Sequence, residues 1–433
     1  MVTANGRTEG RLRLPGGLVR PPRLRALEEA DQPRHATWTE LFFDLVFVVA
    51  IAELAELLHH DPSARGFLQF VALFVPCWWA WVLFTFYADR FDTDDVVHRI
   101  FMLGGMLAVT GLAVNIHDAF TGGWAGFAAS YLIVRTAVVI LYLRAARHVP
   151  AARNNLRLLL VSYAPGSALW LLSIALPTPA RYAAAAVAMT IELATPIVGV
   201  RIFSRGATVS ATHLPERFGL FTIIVLGEAI VAVATGTANT NWRPVSTLAA
   251  TAGFGIAACL WWAYFAFLER TVVIRSIWSV HLYNFGHLPI LVGLTMVGVG
   301  INFAIEGAGM DPLPTGPRWI LCGGVALYLA TTGVIYLVTT RILRNILLAM
   351  SLATAGVALL LAAAGGRLPS LALEGILLVA LVGLLGFKVL RMALEEEAPG
   401  AERARGGVTL SASGGASGAR DGAGAEAEAA LQR

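Results

Sequence analysis

Between residues 38 and 390 the chain alternates long apolar runs with short polar breaks. The runs are unbroken stretches of Leu, Val, Ala and Ile. A helix rising 1.5 Å per residue needs about 20 such residues to cross the hydrocarbon of a bilayer. Spanning strands would instead alternate polar and apolar positions over ~10 residues. The pattern therefore predicts an all-α, polytopic helical membrane protein with twelve transmembrane helices. Their ranges are 38–58, 67–88, 98–117, 124–145, 155–176, 181–203, 214–236, 245–268, 279–301, 318–339, 343–364 and 369–390. Pro165 and Pro196 are expected to interrupt two of them, which neighbouring helices can satisfy.

Charge fits this count. With the N-terminus in the cytoplasm, 26 of the 32 Lys and Arg residues fall on the inner side and five on the outer. Arg135 alone lies inside a helix. That bias follows the rule that Lys and Arg stay inside. It predicts a multi-pass protein of the inner (plasma) membrane with both termini cytoplasmic. Residues 1–36 hold seven Arg among Pro and Gly and read as a disordered tail; 394–433, rich in Gly, Ala and Glu, read as another.

Composition narrows the class. The chain is 57% apolar and 14% charged over 433 residues, with a mean hydropathy of +0.69; soluble domains carry about 25% charged residues. The net charge of +4 does not point to nucleic acid, because the basic residues are scattered between hydrophobic segments. Cys77, Cys259 and Cys322 all fall in predicted helices and form no disulfide framework. No apolar leader precedes Glu40, so no cleaved signal is expected. There is no Ser-His-Asp pattern, Walker loop or dinucleotide fingerprint, and no cofactor or resident metal is expected.

The chain echoes itself. "CWWAWVLFTFYADR" at 77–90 resembles "LWWAYFAFLER" at 260–270. Trp78 and Trp79 map to Trp261 and Trp262 at an offset of 183, which also carries His98 to His281. "TELFFDLVFVVAIAEL" pairs with "PERFGLFTIIVLGEAI", matching Glu40 to Glu216 and, with a one-residue gap, Glu53 to Glu228. This predicts two six-helix repeats, 37–206 and 207–393. An even number of helices per repeat gives both halves one orientation. The paired Trp residues are expected to pack between helices.

The motifs at 38–51, "YADRFDTDDVVHR" at 87–99, "HLPERFGLFTIIVLGEAI" at 213–230 and "LYNFGHLPILVGLTMVGVG" at 282–300 resemble the bacterial low temperature requirement protein A family, named for a cold-growth phenotype. The resemblance covers about 35–390. The first helix, with Phe43-Asp44, is also similar to the opening helix of the lysosomal potassium channel family. That family has six-helix repeats whose first helices line the pore, which implies an ion path here. The motif there has Ser between Phe and Asp, which "FFD" lacks.

Charges inside the membrane mark candidate sites, because each costs roughly 2.5–3.5 kcal/mol at the bilayer centre on insertion scales. Glu53 lies thirteen residues past Glu40, about 20 Å in, and Glu228 lies twelve past Glu216, about 18 Å in. With Arg135, Glu192 and His287 they form a mid-depth set, to which Asn284 adds a polar neighbour. A twofold relation would face Glu53 and Glu228 across a central polar cavity. Asp44 sits nine residues from Glu53, on the opposite side of the helix, so it is expected to anchor. Glu40, Asp44, His98, His213, Glu216 and His281 form an expected inner-face network. Arg135 with Glu192 also reads as a structural bridge.

Asp92, Asp94 and Asp95 form an acid cluster able to bind a divalent cation, or a solvated loop with ion pairs. His213 and Glu216 lack the HExxH pattern of a zinc enzyme. The reading is a transporter or channel for a small ion or solute. Its alternatives are a membrane-embedded enzyme using the Asp92–Asp95 loop on a lipid-linked substrate, or a non-catalytic scaffold or stress protein. The lipid bilayer is the one firm partner. A homo-oligomer is compatible with the sequence and not specified by it.

Overall fold

The computed structural model describes residues 20–24, 36–92, 95–203, 213–269, 277–309, 312–339 and 344–412. Among them run twelve α-helices: α1 (Trp38–His60), α2 (Ala64–Arg90), α3 (Val96–Ile116), α4 (Trp124–His148), α5 (Ala152–Ala175), α6 (Ala180–Phe203), α7 (His213–Asn239), α8 (Pro244–Ala263), α9 (Ile277–Glu306), α10 (Thr315–Thr339), α11 (Arg344–Ala364) and α12 (Ser370–Ala412). A π-helical stretch, Tyr264–Glu269, continues α8. Two short segments, β1 (Arg23–Leu24) and β2 (Phe91–Asp92), pair antiparallel, Arg23 opposite Asp92 and Leu24 opposite Phe91.

Eleven of these helices are long and apolar enough to cross a membrane. The exception is α1, whose 23 residues carry Glu40, Asp44, Glu53 and Glu56. The chain is an all-α, multi-pass integral membrane protein. The helices match the expected ones, with two differences. First, α5 and α6 continue through Pro165 and Pro196, as α2 and α9 do through Pro76 and Pro289. Each Pro removes one N–H, and within a bundle packed neighbours can satisfy the freed carbonyl. Second, α12 runs to Ala412 rather than 390.

Residues 1–382 form one compact unit and Gly383–Arg433 a second. In the second, the Arg391 guanidinium lies 5.6 Å from the centre of the Phe387 ring. Everything below concerns the first. The tail expectations over 1–19, 25–35 and 413–433 fall outside the described residues, as does Asp94.

The bundle is built around α9. It packs against α10, α7, α8, α1 and α2, and 78% of its spanning window is buried against 22% for α5. Small residues let helix backbones approach in a membrane, where apolar burial between helices gains little over lipid. A Cβ on Gly298 would stand 3.1 Å from the Ala229 backbone nitrogen of α7, and one on Gly300 would collide with Leu321 of α10. α1 packs on α3, α2, α7 and α9, while α6 packs mainly on α5, and α5 also on α4. The tryptophans matched in sequence at an offset of 183 differ. Trp78 and Trp79 are buried as expected, but Trp261 and Trp262 are about half exposed, at 48% and 51%. Many hydroxyls inside spans bond the carbonyl one turn back, such as Thr222 to Phe218 and Thr295 to Leu291, so they need no partner from a neighbouring helix.

Candidate functional site

Helix α1 opens with a capping box. Glu40 N donates to Thr37 Oγ1 and Thr37 N donates to Glu40 Oε2, filling two amide donors at the helix start. That fixes where the helix begins and so where its acids point. Asp44, one turn on, is buried. Its Oδ1 accepts from Trp81 Nε1 of α2 at 2.7 Å and from Arg217 Nη2 of α7 at 2.6 Å. Arg217 Nη1 lies 3.7 Å from Glu40 Oε1, and all three charged side chains are buried. Two carboxylates of α1 thus share one guanidinium of α7. The carboxylates are paired with a buried cation, the condition under which buried ions are tolerated.

The anchoring role expected of Asp44 therefore has named donors. Arg217 escapes the sequence reading because it sits beside Glu216 in "PER" and reads there as a loop charge. The rest of the expected inner network is spread over other elements. Glu216 Oε1 accepts from Ala36 N at 3.4 Å. The His98 ring stacks on Tyr87, centroids 5.8 Å apart. His281 lies beside Trp278 and Phe285. The His213 side chain falls outside the described residues.

The mid-depth groups divide into paired and unpaired. Arg135 Nε of α4 lies 3.1 Å from Glu192 Oε2 of α6, both buried. Tyr131 OH donates to the same oxygen at 2.5 Å. A Cβ on Gly166 of α5 would sit 3.0 Å from Glu192 Oε1, so the absent side chain there makes room for the carboxylate. His287 is also satisfied. Its Nδ1 bonds the Tyr283 carbonyl at 2.6 Å and its Nε2 meets Tyr264 OH at 2.7 Å. A carbonyl only accepts, so Nδ1 carries the hydrogen and Nε2 accepts from the tyrosine. The rings of Phe218 and Tyr283 close over it. Tyr264 begins the π-helical stretch, a departure that tends to mark functional positions.

Glu53 and Glu228 are different. Both are half-buried, and neither makes a side-chain hydrogen bond or ion pair with a described residue. Their helices, α1 and α7, pack together. Gly298 of α9 rests on the Glu228 backbone, its Cβ position 3.3 Å from the carbonyl carbon. Asn284 Oδ1 and His281 Nε2 on α9 are also buried without a hydrogen-bond partner.

In the α2–α3 loop Asp95 is committed. It caps α3 through the His98 N–H at 3.0 Å. Arg144 of α4 grips its two oxygens, one at 3.0 Å and the other at 2.5 Å, and Arg20 N donates to Oδ2 at 3.1 Å. Burial acts to raise this carboxyl's pKa, but the Arg144 and backbone hydrogen bonds outweigh it and hold it below the usual carboxylate value. The Asp92 side chain lies outside the described residues. Among the described residues no three His, Cys, Asp or Glu side chains converge as metal ligands would.

Comparison with known proteins fits this picture. A family model described as bacterial low temperature requirement A protein matches residues 35–385. An uncharacterized protein of Rhizobium meliloti (strain 1021) is 27% identical over 333 residues, covering 73% of this chain and 80% of that one.

Proposed function

This chain belongs to the bacterial low temperature requirement A family, and from that premise we propose that it moves a small cation or protonatable solute across the membrane past Glu53 and Glu228. One observation carries the reading. Every other acid described inside α1 and α7 is paired or near a helix end, whereas these two sit half-buried at mid-helix with no partner among the described residues. A carboxylate left bare in hydrocarbon is costly, and such groups face water or a permeant in membrane proteins generally.

Asp44 and Glu53 stand nine residues, about 180°, apart on α1. With Asp44 turned to Arg217, Glu53 leaves the helix on the other side. The two glutamates then meet the permeant at successive points rather than closing on each other. Asn284 and His281 extend the polar lining along α9. The Arg135–Glu192 pair, closed by Tyr131, holds the first half together. The two-repeat organisation and the inner-membrane orientation with cytoplasmic termini belong to the same proposal. An enzyme acting through the Asp92–Asp95 loop fits less well, since Asp95 is already filled by Arg144.

The test is flux in liposomes containing purified protein, driven by proton, potassium or sodium gradients. Flux above empty liposomes is expected, falling at least tenfold in Glu228→Gln or Glu53→Gln. Flux no greater than in empty liposomes overturns permeation, and flux unchanged by both substitutions removes these acids from the path.

A further inference from the structure

The end of α1 opposite Thr37 carries a second polar cluster that the permeation reading leaves unused. His59 Nε2 lies 3.2 Å from Asn302 Oδ1 and 3.9 Å from Glu306 Oε2 of α9. Asn302 and Glu306 are one helical turn apart and share a face. The His59 ring lies flat on Phe303, 4.3 Å between centroids and 9° between planes, which fixes its orientation. Asn302 Nδ2 reaches Thr235 Oγ1 of α7 at 3.4 Å, so the amide turns its oxygen toward His59. The His59 and Glu306 side chains are about one-third exposed, 32% and 35%.

We propose that His59, Asn302 and Glu306 bind a divalent transition-metal cation at this end of α1. The ligand types suit it: an imidazole nitrogen with a carboxylate and an amide oxygen, water filling the remaining positions. With metal–ligand bonds of about 2.0–2.2 Å, neighbouring ligand atoms stand roughly 3.0–3.4 Å apart. The His59–Asn302 distance already meets this, and Glu306 needs to close by about half an ångström. Ligation through Nε2 leaves the imidazole hydrogen on Nδ1. The oriented ring and amide supply the outer support that metal ligands require.

The surroundings attract cations. Glu56 is exposed one turn earlier on α1. Asp61 follows His60, and bonds from the Ser63 hydroxyl and N–H hold its carboxyl below the usual value. On α7, Thr235 stands seven residues from Glu228, about two turns, and so lies on the same stripe. The cluster can therefore hand a cation toward Glu228. That delivery role rests on the permeation reading; metal binding itself does not.

The experiment titrates zinc into the full-length protein in detergent against a chromogenic chelator. One zinc per chain is expected. His59→Ala and Glu306→Gln should each weaken binding at least tenfold, with unchanged gel-filtration profiles. The double variant His60→Ala/His117→Ala, whose wild-type rings lie 6.1 Å apart, should bind as the parent does. Absence of stoichiometric binding, binding that survives both cluster substitutions, or loss in the His60/His117 variant leaves a hydrogen-bond cluster only and overturns the proposal. Zinc binding with the expected pattern but no liposome flux keeps the site and fails the permeation reading. Flux indifferent to saturating zinc overturns the delivery role.

Discussion

At the scale of the residue, the bundle turns on a few charges and on whether each has a partner. Arg217 neutralises Asp44 and approaches Glu40 from another helix. Removing it leaves a carboxylate buried without its cation, which typically costs about 3–5 kcal/mol. Arg217→Met is expected to lower unfolding stability in detergent by about that amount, and adding Asp44→Asn should restore part of it. Denaturant unfolding measures both, and a near-neutral Arg217→Met contradicts the assignment. The acids themselves were legible, because a Glu or Asp inside an apolar run stands out. The Thr37–Glu40 cap has the Thr-x-x-Glu spacing of a capping box but is overshadowed in sequence by the apolar run that follows it. Arg217 was not legible, because a charge four residues into α7 looks like the end of a loop. Nor was Tyr264 as the partner of His287, since no sequence signal announces the π-helical turn that begins at Tyr264.

At the scale of the element, polar contacts between residues far apart in sequence tie the first described segment to the bundle. The segment Arg20–Leu24 is held by β1–β2 pairing, by the Arg20 N–H on Asp95, and by Arg144 Nη2 on the Arg20 carbonyl. Asp95 joins that segment to α3 and α4. Its folded pKa lies below the ordinary value of about 3.9. A depressed carboxyl stabilises the folded state above its unfolded pKa and loses that contribution as pH falls through the lower, folded value. Hydrogen exchange at residues 20–24 should therefore stay slow until the pH is below the ordinary carboxylate range. In Arg144→Gln the acceleration should begin at higher pH. Identical profiles in the two proteins would contradict the role given to Arg144. In sequence, residues 1–36 look like a featureless tail, because five residues with little to bury give no periodic signal. Their docking depends on Asp95 and Arg144, far away in sequence.

At the scale of the whole molecule, the bilayer made the fold readable. A solvent that forbids unpaired backbone groups admits helices of about 20 apolar residues and little else, so helix number and class followed from the run lengths alone. Which helix sits at the centre did not follow, because spanning helices are apolar on every side. The position of α9 emerges only through close contacts such as Gly298 on α7 and Gly300 on Leu321. The same ambiguity hid the contrast between the two tryptophan pairs. The proposed permeation rests on water reaching Glu53 and Glu228, which have no partner among the described residues. The most direct measurement places Cys at 53 or 228, in a background with Cys77, Cys259 and Cys322 replaced by Ala, and exposes reconstituted protein to a charged, membrane-impermeant thiol reagent. Both new cysteines are expected to react, at rates within about tenfold of a Cys at the exposed position 56. If the Cys at 56 reacts while those at 53 and 228 stay inert from both sides of the membrane, the acids lie in dry packing or lipid and the permeation account is wrong.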